Sequence, residues 1–136
     1  MKKFIHISCI LFLLISAAGI LASVTLQYFT AKTNFDGILV EWKTGDEGGT
    51  VTFDLERSAT TPDNFISIKT FNSTGNNSYY SYQDNSVNMV SSNAIYYYRL
   101  KCIQGNGAYT YSNSISVVHS ISGIKTTWGS IKAIFR

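Results

Sequence analysis

The chain has 136 residues, 45% of them hydrophobic and only 14% charged, which suits one globular domain and excludes a disordered tail. Lys2 and Lys3 contribute to the net charge of +3, and no run of Lys and Arg of the kind that follows a phosphate backbone is present. The sequence therefore predicts no nucleic-acid binding. Nine Tyr, eight Phe and a single Pro favour strands, because aromatic side chains pack well on a pleated surface.

Residues 1–23, MKKFIHISCILFLLISAAGILAS, have the layout of a secretory signal peptide: two lysines, an apolar run, then small residues. Ala17 and Gly19 fit a cleavage site that gives a mature N-terminus near Ile20, and cleavage after Ala22 or Ser23 is also possible. The alternative is an uncleaved anchor, because residues 4–24 are uncharged and long enough to span a bilayer. The segment predicts a protein that is secreted or held in the cell envelope or at the cell surface.

Alternation of apolar and polar residues continues through residues 24–118 and predicts seven strands. The predicted strands cover residues 24–32, 37–44, 50–58, 65–72, 78–84, 94–104 and 108–118. Turn-forming sequences separate them, and no segment has sustained helical periodicity. This pattern predicts an all-β, seven-stranded antiparallel immunoglobulin-like sandwich, with a small barrel as the competing fold.

The sixth predicted strand, AIYYYRLKCIQ, separates into an apolar face and an amphipathic face. The predicted core consists of Trp42, Phe53, Leu55, Tyr96, Tyr98, Leu100 and Cys102. Tyr96, at the start of the strand, is predicted to form the tyrosine corner, in which a hydroxyl bonds back to the upstream backbone. Cys102 is predicted to be a buried small hydrophobe, because no His or basic cluster adjoins it to activate the thiol.

Two pairs of acids are the only candidates for paired-carboxylate chemistry. Asp46 and Glu47 are adjacent in a Gly-rich turn, and Asp54 and Glu56 share the outer face of one strand. Either pair could serve a glycosidase or hold a weak calcium ion, but loop and surface acids are more often simply solvated. His119 is the only histidine after the N-terminal segment, and no partner acid can be located for it. The sequence predicts no enzyme, no catalytic residue, no metal and no cofactor.

Several tyrosines cannot all face the core: Tyr79, Tyr80, Tyr82, Tyr97, Tyr109 and Tyr111. Tyrosines on a sheet face can pair across strands, stack on sugar rings or anchor a protein partner. Tyr97, Tyr109 and Tyr111 are therefore candidate interaction residues.

The last segment, residues 119–136, does not continue the alternation and carries Trp128 and Phe135 among basic residues. These two aromatic residues are further candidates for interaction. The segment could fold back onto the sandwich, act as a recognition peptide, or form a short interfacial helix against anionic lipid.

Five short motifs occur in a fixed order: VTLQYFTAK, ILVEWKT with Trp42, FDLERS followed by Phe65 and Ile68, YQDN, and YYYRLK. In this order the chain resembles the fibronectin type III-like domains of secreted and cell-surface proteins of Bacteroidetes-type bacteria. The resemblance covers about residues 24–118. It leaves residues 1–23 as a hydrophobic signal helix and residues 119–136 as a short tail.

The resemblance implies an exported, non-catalytic interaction module for adhesion or assembly, with a protein or glycan at the cell surface as partner. One alternative is a carbohydrate-binding accessory domain that uses surface tyrosines. Another is a membrane-anchored structural subunit, with membrane contact through residues 1–23 or through the tail.

Overall fold

The computed structural model describes residues 23–89 and 93–120, and the chain is all-β over these ranges. The predicted signal helix and residues 121–136 lie outside them. The described elements are β1 (Leu26–Asn34), β2 (Gly37–Thr44), β3 (Thr50–Ala59), β4 (Ile66–Asn72), β5 (Tyr79–Asp84), a 3-10 turn (Ser86–Met89), β6 (Ala94–Gln104), β7 (Tyr109–Tyr111) and β8 (Ile115–His119).

The strands form two antiparallel sheets that pack face to face. The smaller sheet has the order β1-β2-β5, and the larger sheet has the order β4-β3-β6-β7, with β8 also paired to β6. The predicted all-β architecture with two antiparallel sheets is confirmed. Chain segments after β2, β4 and β5 cross from one sheet to the other, so neighbours in sequence often lie in different layers.

The last predicted strand, residues 108–118, is two strands rather than one. Between them Ser112 binds β6 through its own side chain, because Leu100 N–H donates to Ser112 Oγ at 2.9 Å. Ser112 N–H in turn donates to the Leu100 carbonyl oxygen at 2.9 Å. Because a side chain replaces the backbone acceptor here, the regular backbone hydrogen bonding between strands is interrupted. The described part of the chain therefore has eight strands.

The core between the sheets is built around an aromatic cluster centred on Trp42. Its ring stacks on Tyr80 at 5.1 Å between centroids and meets Phe71 edge-on at 5.0 Å and Phe53 at 6.5 Å. Such edge and offset contacts are the favoured geometries of aromatic pairs. All seven residues of the predicted core are buried: Trp42, Phe53, Leu55, Tyr96, Tyr98, Leu100 and Cys102.

Strand β3 departs from simple alternation at its start. The pairing of β3 with β6 shifts between Thr50 and Thr52, which leaves Val51 as an extra residue with 47% of its surface exposed. A bulge adds one residue to a strand and reverses the faces that follow. Simple alternation along β3 would place Val51 on the same inward face as Phe53 and Leu55, and the bulge instead leaves it exposed.

The long loop before β6 buries a residue that the sequence did not single out. Val87, in the 3-10 turn, belongs to the core. The side chains of Met89 and Val90, the other apolar residues of this loop, lie outside the described part of the chain.

The hydroxyl that reaches back from the start of β6 belongs to Tyr98 and not to Tyr96. Tyr98 Oη donates to Asp84 Oδ2 at 2.8 Å, so its acceptor is a side chain at the end of β5 and not a backbone group. Tyr96 instead packs under the Arg57 guanidinium, 5.5 Å from its ring centroid, and beside the ring of His119. The predicted tyrosine corner is therefore replaced by a tyrosine–aspartate contact two residues later.

Candidate functional site

The outer face of the larger sheet gathers most of the predicted interaction residues. We call it the aromatic face and define it by Phe65, Tyr97, Arg99, Lys101, Tyr109 and Tyr111. Alternation along β6 turns the odd-numbered residues outward while the even-numbered ones are buried. Strand β7 lies beside β6, with Lys101 opposite Tyr111 and Ile103 opposite Tyr109.

Arg99 is held between two rings. Its guanidinium carbon lies 4.1 Å from the centroid of Phe65 and 3.9 Å from that of Tyr111. Its Nε also donates to Glu56 Oε2 at 2.7 Å, which forms an ion pair. The guanidinium thus contacts a ring on each face, and its charge is paired with Glu56. The three planar groups form an ordered stack. Cation–π contacts of this kind contribute about 0.5–1 kcal/mol each at exposed sites.

Lys101 repeats this arrangement at the edge of the sheet. Its Nζ lies 4.3 Å from the ring centroid of Tyr109, and Tyr109 meets Tyr111 edge-on at 5.4 Å. The two tyrosines remain 54% and 46% exposed. Because their planes are inclined by 66°, the two rings do not form a flat platform on which one sugar chain could lie.

The structure therefore brings Tyr109 and Tyr111 together and places Tyr97 on the same face, half-buried. The other two predicted interaction residues, Trp128 and Phe135, lie outside the described residues. Phe65, Arg99 and Lys101 were not predicted as interaction residues, although Arg99 and Lys101 share the outward face of the alternating strand β6 with Tyr97. The stacking partner Phe65 comes from the loop before β4, and sequence spacing alone does not reveal that contact.

A buried ion pair joins the two sheets at the end of β5. Asp84 Oδ2 accepts hydrogen bonds from Arg57 Nη1 at 2.6 Å and from Tyr98 Oη at 2.8 Å. Its other oxygen, Oδ1, accepts the Ser86 hydroxyl at 2.6 Å. Asp84 belongs to the smaller sheet and its partners Arg57 and Tyr98 to the larger one. Asp84 therefore connects the two sheets, and both of its carboxylate oxygens accept hydrogen bonds.

These contacts determine the protonation states of Asp84, Arg57 and Tyr98. Burial alone opposes ionisation of Asp84, but the hydrogen bonds from Ser86, Arg57 and Tyr98 outweigh it and lower the pKa of that carboxyl. Burial likewise opposes the charge on Arg57, yet its bond to Asp84 raises the pKa of the guanidinium. Burial, followed by the nearby Asp84 charge, raises the pKa of Tyr98 far above its ordinary value. The aspartate and the arginine are therefore charged and the tyrosine is neutral at pH 7.

Glu47 is the second buried carboxylate. It was expected to be a solvated loop acid, but it is almost completely buried, so that expectation is wrong. Its Oε1 accepts the hydroxyls of Thr44 at 3.0 Å and Tyr80 at 2.8 Å. Its Oε2 accepts the Ser73 hydroxyl and, at 3.1 Å, the backbone N–H of Gly75. Four donors within reach explain why the sequence tolerates an acid here.

The remaining acids considered in the sequence have local structural partners. Asp46 Oδ1 accepts the N–H of Gly48 at 2.8 Å, which shapes the β2–β3 loop. Asp54 Oδ1 accepts the Thr70 hydroxyl at 2.6 Å on the aromatic face. Among the described residues no three His, Cys, Asp or Glu side chains converge as a metal site.

Cys102 lies at the floor of a groove between the open edges of the two sheets. The groove, a cavity of about 500 Å³, is lined mainly by β1 and by the segment around β7. Burial, and after it the charge of Glu47, raises the pKa of the Cys102 thiol to about 11. A thiol with so high a pKa carries little thiolate at neutral pH, which makes it a poor nucleophile.

His119 ends β8 and is buried with its ring beside Tyr96. Its Nδ1 lacks a hydrogen-bond partner within the described part of the chain. Strand β8 therefore includes His119, which the sequence assigned to the tail.

Over residues 23–89 and 93–120 no helix has the length and apolar character needed to cross a membrane. Comparison with known proteins gave no matching family model, no matching curated protein and no matching solved structure.

Proposed function

We propose that the chain is an exported, non-catalytic interaction module with a fibronectin type III-like sandwich, which binds a protein partner at the cell surface or in the envelope through its aromatic face. The observation that carries this proposal is the ordered stack of Phe65, Arg99 and Tyr111, extended by Lys101 and Tyr109.

The strand order supports the fibronectin type III-like assignment. In constant-type immunoglobulin domains the fourth strand joins the sheet that contains the first, second and fifth strands. Here β4 pairs with β3 at the edge of the larger sheet, and the smaller sheet keeps only β1, β2 and β5. This shift of one edge strand separates the chain from the constant-type arrangement, in agreement with the motif order in the sequence.

The composition of the aromatic face favours a protein partner. Tyr and Arg are enriched among the residues that dominate binding energy at protein interfaces. The charge of Arg99 is already paired with Glu56, so covering this residue leaves no unpaired cation. Its stacking also orders the neighbouring rings before binding, which reduces the entropy lost on association.

Export is supported by the sequence of residues 1–23, and an intact-mass measurement tests it. We expect protein isolated from its own cells to lack residues 1–19, or a few more, and to occur in the medium or the envelope. A full-length mass confined to membranes would contradict cleavage and favour the membrane-anchored alternative.

Chemical cross-linking in the source cells tests the interaction surface. We expect the tagged chain to form a discrete cross-linked product with a protein, and the Tyr109→Ser/Tyr111→Ser double variant to lose it. Tyr79→Ser, on the opposite side of the sandwich, is the matched control and should retain the product. Equal yields from both variants would show that the aromatic face is not the binding surface.

A further inference from the structure

A second set of tyrosines lies on the outer face of the smaller sheet. Tyr28 on β1 is opposite Lys43 on β2, and Lys43 is opposite Tyr79 on β5, so the three side chains form one row across the sheet. We call this the tyrosine–lysine row. Tyr28 is 40% and Tyr79 is 54% exposed. Adjacent strands are about 4.8 Å apart, which places the two tyrosines on either side of the lysine at roughly 10 Å.

A bulge in β1 lies at the end of this row. The pairing of β1 with β2 shifts between Leu26 and Tyr28, so Gln27 is an extra residue. Leu26 and Phe29 both pack towards the core, and Tyr28 between them is turned outward. Without the bulge, Leu26 and Tyr28 would share one face of the strand. The bulge therefore returns Leu26 to the core side, while Tyr28 keeps the outward position that alternation from Phe29 gives it.

Tyr79 leans across the sheet rather than standing away from it. Its hydroxyl donates to Glu41 Oε1 on the neighbouring strand β2. This hydrogen bond to a carboxylate raises the pKa of Tyr79 above its ordinary value. The ring is thereby held on β5 at one end and on β2 at the other, and about half of the residue's surface remains exposed.

The cations of this face are uncommitted, unlike those of the aromatic face. Across the described ranges ion pairs form only between Arg57 and Asp84 and between Arg99 and Glu56. Lys43 and Lys32 have neither an ion pair nor a ring contact there. They lie on the same outer face, at opposite ends of the sheet. The face therefore combines exposed tyrosine rings with positive charge that is free to bind an anion.

We propose that the outer face of the smaller sheet binds an acidic polysaccharide, with sugar rings stacked on Tyr28 and Tyr79 and sugar carboxylates paired with Lys43 and Lys32. The C–H side of a pyranose ring is apolar and complements a tyrosine ring, while its hydroxyls need hydrogen-bonding groups nearby. The paired amides of Asn34 and Gln83, 2.8 Å apart on this face, supply donors and acceptors.

A single-stranded nucleic acid also stacks on aromatic rings and carries negative charge, but it is bound by grooves with a continuous line of cations. Glu41 lies between Lys43 and Lys32 on this face, so the smaller sheet has no continuous line of cations. The inference goes beyond the proposed function, because it concerns the opposite face of the sandwich and a different class of partner.

Affinity electrophoresis and calorimetry of the full chain with polygalacturonate test the inference. We expect binding to polygalacturonate and none to the same polymer after full methyl esterification, which keeps the sugar rings and removes the charge. Lys43→Gln should weaken binding by about fivefold, the size of one exposed ion pair. The Tyr28→Ala/Tyr79→Ala variant should lose it.

Matched variants on the aromatic face, Lys101→Gln and Tyr109→Ser/Tyr111→Ser, should bind polygalacturonate like the unmodified chain. The inference is overturned if polygalacturonate does not bind, if Lys101→Gln and Lys43→Gln weaken binding equally, or if poly(dT) binds more tightly than polygalacturonate. If the Tyr28→Ala/Tyr79→Ala variant does not fold, the comparison of Lys43→Gln with Lys101→Gln is sufficient to test the inference. Because the cross-linking test concerns the other face, either proposal can fail without the other.

Discussion

At the scale of single residues, Trp42 combines complete burial with an indole N–H that donates to no acceptor in the described part of the chain. We expect Trp42→Ala to lower the free energy of unfolding by about 3–5 kcal/mol, as large-to-small changes in cores do. Trp42→Phe should cost clearly less, because it keeps an aromatic ring and breaks no hydrogen bond. Urea denaturation followed by circular dichroism measures both, and equal costs would show that the indole nitrogen has a stabilising partner.

Asp84 predicts a pH dependence of stability. Its pKa is lower in the folded chain than the ordinary value near 4, so its contribution is fully present above about pH 4. That contribution is lost as the pH falls through the folded pKa, because the protonated acid no longer pairs with Arg57. We expect Asp84→Asn to cost about 3–5 kcal/mol at pH 7, since it leaves the Arg57 charge buried and unpaired.

Unfolding by urea at pH 7 and at pH 3 tests this. The difference in stability between Asp84→Asn and the unmodified chain should shrink at the lower pH. Asp63→Asn, at an exposed loop position, is the control and should change little at either pH. A difference that stays constant between the two pH values would refute the assigned role of Asp84.

Residue-level inference from the sequence succeeded where one strand obeys simple alternation. In β6 the buried set of Tyr96, Tyr98, Leu100 and Cys102 follows directly from a period of two. It failed for Glu47, because the four donors that satisfy this carboxylate come from β2, β5 and the β4–β5 loop. A buried acid is recognisable from sequence only when its partners are local, and three of these four donors, all but Thr44, are more than 25 residues away.

At the scale of elements, the β1–β2 hairpin depends on Gly37. Its φ is +135°, and a Cβ at this position would overlap the backbone carbonyl oxygen of Asp84. We expect Gly37→Ala to cost more than about 2 kcal/mol, because strain from positive φ adds to a clash with rigid backbone.

Gly49→Ala is the matched comparison. Gly49 has a φ of +75°, but a Cβ there would have no neighbour within 4 Å. It should cost only about 1–2 kcal/mol, the strain of an L residue at positive φ. Thermal unfolding midpoints rank the two variants, and a smaller loss for Gly37→Ala would contradict the clash.

Element boundaries were predictable to within about two residues where turn residues flank an alternating run. Strands β2 and β6 have the predicted bounds. The bulges at Gln27 and Val51 were not predictable, because each depends on which residue of the partner strand is opposite. The tyrosine–lysine row depends on strand pairing as well: alternation turns Tyr28 outward, but only the register of β1 and β5 against β2 places Lys43 between Tyr28 and Tyr79.

At the scale of the whole molecule, two buried carboxylates form hydrogen bonds that stabilise the sandwich at opposite ends of β5. Glu47 accepts Tyr80 near the start of this strand, and Asp84 ends it, about 13 Å away at the usual rise per residue. We expect Glu47→Gln and Asp84→Asn to lower the free energy of unfolding additively, within about 0.5 kcal/mol, as distant sites do. A double-mutant cycle in urea measures this, and a coupling above 1 kcal/mol would show that the two ends communicate.

The overall architecture was the most predictable feature, since seven alternating runs without helical periodicity allow few all-β alternatives. The division of strands between the sheets was not predictable in the same way. It depends on long-range pairings such as β3 with β6, and no local signal encodes them. The aromatic face was partly predictable, because Tyr109 and Tyr111 alternate on β7, but its Arg99 stack requires the partner loop.

The pairing of β3 with β6 also affects how fast the chain folds. Thr50 pairs with Gln104 and Ala59 with Tyr96, so β4 and β5 must be synthesised and looped out before the centre of the larger sheet can close. Closing such distant contacts is slow, and sandwiches of this kind fold in about milliseconds to seconds. A newly made chain therefore spends a long interval without its core. For the proposed export, that interval is the time in which an extended polypeptide would cross a narrow membrane pore before it folds on the other side.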